Sequence, residues 1–141
     1  MCRIMINGVK IIELPNIKDP RGNLSFFENH SQIPFEIKKT YWIYGAQVRE
    51  IIENHAFKES HEFIVALYGS FDIILNNGEK EQKFSLNKPY SGLFVPNLIW
   101  RRIENFSNNS LALVVSSKEY ESNDYIMDFD QFKRVKYEIE Q

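Results

Sequence analysis

Apolar and polar residues alternate in short runs along most of this chain, and turn-forming residues separate the runs. That period of two predicts strands rather than helices. Residues 4–14 read as a first strand. Asp19-Pro20-Arg21-Gly22 then closes a turn, and residues 24–28 form a second strand followed by a loop that holds His30. Residues 38–44 form the next strand, with Tyr41 and Ile43 on one face and Trp42 and Tyr44 on the other. In the run Phe63–Tyr68 both faces are apolar, as expected for a strand inside a small barrel or sandwich. Gly69-Ser70 turns the chain into residues 71–75, and Asn76-Asn77-Gly78 marks a hairpin into residues 80–86. Further strands are expected on either side of Pro96 and at residues 111–117. From Asn123 the period changes: Ile126, Phe129, Phe132 and Val135 recur at helical spacing. About nine strands and one short C-terminal helix make an all-β sandwich or barrel.

Length and composition narrow the reading. The 141 residues suit one domain, 1–141, with a real core. Aromatic residues make up 14%, which favours strands and a site walled by rings. A net charge of −2 offers no basic field for nucleic acid. No apolar run approaches a membrane span, and the N-terminus has no apolar signal core. The one cysteine, Cys2, is expected to be a frayed, inert thiol, and its isolation fits a cytoplasmic protein.

The polar residues before the Phe63 strand carry the chemistry. His55, Phe57, Glu62 and Gly69 have the layout of the first cupin motif, H-x-H, an acid and then a glycine, with Phe57 in the second histidine position. Arg101, after Trp100, stands where the second motif has its histidine. Two of four metal-ligand positions therefore hold residues that cannot ligate, so no metal is expected. His61 is open to two readings, a rim histidine or a second proton carrier. On a regular strand it shares a face with His55, and a bulge near Lys58 reverses this.

The chain resembles the WxcM-like cupin sugar isomerases, the 3,4-ketoisomerases of thymidine-diphosphate 4-oxo-6-deoxyglucose. The resemblance rests on D-P-R-G-N-L at 19–24, I-P-F-E-I-K-K-T-Y-W-I-Y at 33–44 and V-A-L-Y-G-S-F at 65–71. It continues with G-L-F-V-P-N-L-I-W at 92–100 and the tail Y-E-S-N-D-Y-I-M-D-F-D-Q-F-K at 120–133. It implies a jelly-roll cupin, a homodimer with exchanged N-terminal strands, no cofactor, and a TDP-linked 4-oxo-6-deoxy sugar as substrate. The product of such enzymes feeds an aminotransferase on the way to 3-amino sugars of surface polysaccharides.

Moving a ketone to the neighbouring carbon needs a base for the C3 proton and donors for the enediolate oxygens. Carried over by position, His55 is the base and Tyr41 the acid or hydrogen-bond donor. Arg21, Arg49, Arg101, Glu62, Phe57 and Trp100 are the substrate contacts. The loss of two histidines leaves two other readings open. One is a nucleotide-sugar-binding module without efficient turnover; the other is a 3,5-epimerase-type enzyme on the same barrel.

Overall fold

The computed structural model describes residues 6–140, so Cys2 and the first residues of the predicted 4–14 strand lie outside the described residues. The remainder of that strand is shorter than expected, with β1 spanning Lys10–Glu13. β2 (Asn16–Asp19) and β3 (Gly22–Ser25) pair with each other around the Asp19–Gly22 turn. Then follow β4 (Lys39–Tyr44), β5 (Ile52–Phe57), β6 (Glu62–Tyr68), β7 (Phe71–Asn76) and β8 (Glu81–Leu86). β9 (Ser91–Val95), β10 (Trp100–Glu104), β11 (Leu111–Ser116), the two-residue β12 (Tyr125–Ile126) and α1 (Phe129–Glu140) complete the order.

Two five-stranded sheets face each other, ordered β1-β9-β6-β11-β4 and β12-β5-β10-β7-β8. The pairings are antiparallel throughout. This is the expected jelly-roll, a mostly β two-sheet sandwich with one C-terminal helix. Inward residues of both sheets, among them Ile64, Ala66, Ile73, Leu75, Leu93, Ile103 and Val114, form the central core. One end of the first sheet's outer face is covered by the loop before β4, where Ile33 and Phe35 pack on Phe63, Val65, Phe94 and Val115. The C-terminal tail covers the outer face of the second sheet at β5 and β10, where Ile126 and Phe132 pack on Ala56 and Trp100.

Local chemistry sets the connections. Gly69, between β6 and β7, sits at φ +71°, and a Cβ there would come within 2.9 Å of Ser110 Cα. Only glycine meets both conditions without strain. The β7–β8 hairpin forms where Asn76-Asn77-Gly78 predicts it, with a four-residue loop in place of a two-residue turn. Asn77 Oδ1 accepts from the backbone N–H groups of Glu79 and Lys80, each at 2.9 Å. α1 begins after Asp128, whose Oδ2 caps Gln131 N at 3.0 Å. Ile126, placed in the helical run by spacing, belongs instead to β12 and pairs with Ala56 of β5. Phe129, Phe132 and Val135 do form the helix's inner stripe.

Candidate active site

The site is assembled from five strands at one end of the barrel. Residue 62 points inward at the start of β6, so Ile64 and Ala66 continue the inner face and Glu62 stands at its mouth. Arg101 of β10 lies directly across from His55 of β5, and both side chains are buried. Tyr41 of β4 and Ser116 of β11 close the ring from the other sheet.

β5 carries a bulge. Arg101 registers with His55 but Ile103 registers with Ile52, so β5 has one residue more than its partner. Glu53 takes a left-handed backbone there, φ +62°, a conformation that costs a non-glycine residue on the order of 1 kcal/mol. The bulge lets two successive side chains turn inward. Ile52 packs on the central core, and Glu53 reaches the site.

Charge is concentrated around these groups. Arg101 forms an ion pair with Glu62 and stands 3.6 Å from Glu53. Glu62 also accepts hydrogen bonds from the Tyr41 hydroxyl at 3.2 Å and from the Ser116 hydroxyl. The Tyr41 hydroxyl reaches Glu53 Oε2 as well, at 3.1 Å. Glu53 Oε2 lies 3.3 Å from His55 Nε2, outside hydrogen-bond geometry. His55 Nε2 and Arg101 Nε are both buried without a hydrogen-bond partner. Unpaired buried polar atoms cost stability, so each of these two counts against the fold's stability.

The environment sets the protonation states. Burial, followed by the Arg101 and Lys39 cations, pushes His55 down to about 3, so its imidazole is neutral at physiological pH. Burial, with help from Glu62, raises Glu53 above the ordinary carboxylate range, although Arg101 opposes the shift. Burial and the same two carboxylates hold Tyr41 well above the usual phenol range, leaving it a neutral O–H donor. Burial alone would lower Arg101; Glu62 and the other neighbours outweigh it, and the guanidinium stays charged.

Aromatic rings wall the mouth. The Arg101 guanidinium lies 4.7 Å from the Phe57 ring centroid, and His55 meets Phe57 edge-on at 4.8 Å. Phe57 carries no proton, but it fixes the planes of the two groups on either side. Tyr125 arrives from the C-terminal tail, 5.0 Å from His55. It is held there by Asp124, whose carboxylate accepts the backbone N–H groups of Glu59 and Ser60. Lys39 stands above the rings of Tyr41, Phe57, Tyr120 and Tyr125 at 5.4–5.9 Å and donates to the Tyr125 hydroxyl at 3.4 Å.

The predicted residues therefore divide. His55, Tyr41, Phe57, Glu62 and Arg101 are together. Trp100 is not: its neighbour Arg101 faces inward, so Trp100 faces outward, packing on Phe129 and Phe132 and donating to Asn54 at 3.0 Å. His61 is placed outside the site too. β5 ends at Phe57, and at the entry to β6 residue 61 faces away from Glu62, where His61 Nδ1 accepts Asn97 N. Arg49 is exposed in the β4–β5 loop, and Arg21 is 91% exposed at the hairpin tip, bound to Asp19. Sequence reasoning passed over Glu53, Lys39, Ser116 and Tyr125. For Glu53 the signal was available, since positions 53, 55 and 57 share a strand face.

The residues present do not fit a metal ion. The donors His55, Glu53 and Glu62 already surround a guanidinium that neutralises the carboxylates, and Phe57 offers no ligand.

A family model described as FdtA: WxcM-like, C-terminal matches residues 7–137. The TDP-4-oxo-6-deoxy-alpha-D-glucose-3,4-oxoisomerase of Aneurinibacillus thermoaerophilus is 35% identical over 125 residues, covering 89% of this chain and 90% of that protein. A 3,4-ketoisomerase structure from Helicobacter canadensis aligns at 38% identity with a TM-score of 0.90, covering 92% of this chain and 98% of that one. A mutant of the 3,4-ketoisomerase QdtA from Thermoanaerobacterium thermosaccharolyticum, solved with TDP-4-keto-6-deoxyglucose, aligns at 30% identity with a TM-score of 0.92, covering 95% and 97%. Matched along nearly its whole length in both sequence and architecture, the chain belongs to the WxcM-like FdtA family of TDP-sugar 3,4-ketoisomerases.

Proposed function

We infer that the protein isomerises a TDP-linked 4-oxo-6-deoxyhexose to its 3-oxo isomer. The observation that carries this reading is a neutral, buried His55 whose Nε2 lacks a hydrogen-bond partner, set across from an Arg101 whose Nε also lacks one. A neutral imidazole can take the C3 proton. The electron pair of the broken C3–H bond forms the C3=C4 double bond, and negative charge collects on the sugar oxygens. Arg101 and the Tyr41 hydroxyl, once its single O–H turns from Glu62 and Glu53 to the sugar, are the donors that hold that charge. The 3-hydroxyl proton passes to the C4 oxygen, and the abstracted proton delivered to C4 completes the 3-oxo sugar. Lys39, at the partly exposed mouth, is suited to the diphosphate.

The reading includes a homodimer. Among the described residues the β2–β3 hairpin pairs with no other strand, and it leaves Ile17 and Leu24 exposed. On the first sheet's outer face Trp42 and Tyr44 are 58% and 74% exposed, beside Leu67. A second copy would cover these surfaces and bring Arg21 to its partner's site. No helix among the described residues is long and apolar enough to cross a membrane, and the enzyme is assigned to the cytoplasm.

The test is incubation of the purified protein with TDP-4-oxo-6-deoxyglucose in deuterium oxide, followed by proton NMR. The expected result is loss of the C3 proton signal and growth of 3-oxo sugar resonances. His55→Asn should lower kcat by about 100-fold or more with TDP binding kept. Exchange at C5 without a 3-oxo product would favour epimerisation. TDP binding without any exchange would favour a binding module.

A further inference from the structure

We propose that Glu53 is the proton-holding partner of His55, filling the place that a second histidine would take at position 57. The proposal rests on the ketoisomerase reading above and deepens it. Three observations carry it. Glu53 Oε2 touches both proton-bearing groups of the site, 3.3 Å from His55 Nε2 and 3.1 Å from the Tyr41 hydroxyl. It gets there through a β-bulge and a left-handed backbone that is uncommon for a non-glycine residue. The second histidine position of the motif holds Phe57, which cannot carry a proton.

The proton balance is simple. Neutral His55 and ionised Glu53 take one proton from C3 as the C3–H pair moves into the C3=C4 bond of the enediolate. The proton is then shared between the imidazole and the carboxylate. The same pair returns it to C4 as the enediolate electrons form the new C4–H bond, while the 3-hydroxyl proton passes to the C4 oxygen and C3=O replaces C4=O, so no proton is gained or lost. An imidazolium alone would be poorly placed to hold it. Arg101 and Lys39 both oppose positive charge on His55, whereas burial favours the protonated form of Glu53. The groups facing the pair are Lys39 and Tyr41 from β4, Glu62 from β6, Arg101 from β10 and Tyr125 from β12. Of these, Glu62 is already engaged by Arg101, Tyr41 and Ser116. Glu53 is the carboxylate next to His55, and its side chain is 18% exposed toward the mouth.

The experiment compares wild type, Glu53→Gln, Glu53→Asp and the double variant Glu53→Gln/Phe57→His, with TDP-4-oxo-6-deoxyglucose as substrate. Each is first checked for folding by circular dichroism and for TDP binding by calorimetry. Glu53→Gln is expected to lose about 100-fold or more in kcat, while KM and TDP affinity change little. Its kcat should also lose the acid limb of the wild-type pH profile. Glu53→Asp should retain part of the rate. Phe57→His should restore at least about tenfold in the Glu53→Gln background, because an imidazole then supplies the missing proton acceptor. Wild-type turnover beside an equally active Glu53→Gln overturns the assignment. So does a Glu53→Gln that loses rate and TDP binding together, with no recovery from Phe57→His. A wild-type protein inert toward the sugar is a different failure, that of the ketoisomerase reading itself.

Discussion

Arg101 and Glu62 form an ion pair sealed inside the barrel, with side chains 2% and 0% exposed. Ser116 and Tyr41 satisfy the other lone pairs of Glu62, and the ring of Phe57 covers one face of the guanidinium. Such a pair contributes little net stability relative to apolar residues of the same volume, yet losing one partner leaves the other charge stranded. Arg101→Ala and Glu62→Ala should therefore each destabilise by about 3–5 kcal/mol. The double substitution Arg101→Met/Glu62→Leu should cost less than either. Urea denaturation midpoints at unchanged m-value decide this. Single variants as stable as wild type would show that water reaches the pair.

His55 makes stability depend on pH, and its sign can be worked out. Its folded pKa, about 3, lies below the ordinary 6.5. The unfolded chain therefore binds a proton at this position where the folded one refuses it. The contribution is fully present above pH 6.5 and is lost as pH falls toward 3. Between pH 7 and pH 5 this amounts to a loss on the order of 2 kcal/mol. Glu53, raised instead of lowered, runs the other way: its contribution is present at low pH and fades as pH rises through its folded pKa. Because Glu53 is present in both proteins, comparing wild type with His55→Asn isolates the histidine. The variant should lose markedly less stability between pH 7 and pH 5, as read from denaturation curves at the two pH values. Parallel losses would mean that His55 titrates normally.

How much was legible follows from which distances the chemistry spans. Short-range alternation placed β4, β6, β7, β8 and β11 nearly at their observed bounds and put strands on either side of Pro96, and Asn76-Asn77-Gly78 marked its hairpin. The inward set Tyr41, His55, Phe57, Glu62 and Arg101 came from motif position and from strand parity. The same parity speaks against Trp100, because adjacent residues of one strand face opposite sides and Arg101 faces in. Glu53 was reachable from the spacing of 53, 55 and 57. Its contact with Tyr41 depends on the bulge, a register event between β5 and β10 that neither strand shows alone. Tyr125 comes from 70 residues beyond His55, and Asp124 fixes it through backbone groups that have no sequence signature. Ile126 fits a helical spacing by accident; its pairing with Ala56 is a long-range fact.

Trp100 gives a prediction that separates packing from chemistry. Its ring meets Phe129 at 5.3 Å and Phe132 at 5.8 Å, tying α1 to the second sheet. Trp100→Ala should cost about 3 kcal/mol or more in stability. At a temperature where the variant is folded, KM for the sugar nucleotide should stay close to the wild-type value. A KM raised tenfold in a fully folded variant would return Trp100 to the substrate-contact set.

The hairpin supplies the last prediction. Arg21 cannot be a substrate contact for its own site while it sits exposed at the tip of β2–β3, bonded to Asp19. In a two-fold dimer with exchanged hairpins, each site would take His55 from one chain and Arg21 from the other. Arg21→Ala and His55→Asn homodimers should then both be poorly active. Subunits mixed in equal amounts and allowed to exchange give half heterodimers. Each heterodimer has one site with both residues intact and one with neither. The mixture should recover roughly a quarter of wild-type activity. If Arg21 acts within its own chain, or not at all, mixing adds nothing beyond the average of the two variants. A wild-type protein that runs as a monomer in sedimentation would remove the premise, and Arg21 would then be a solvated turn residue.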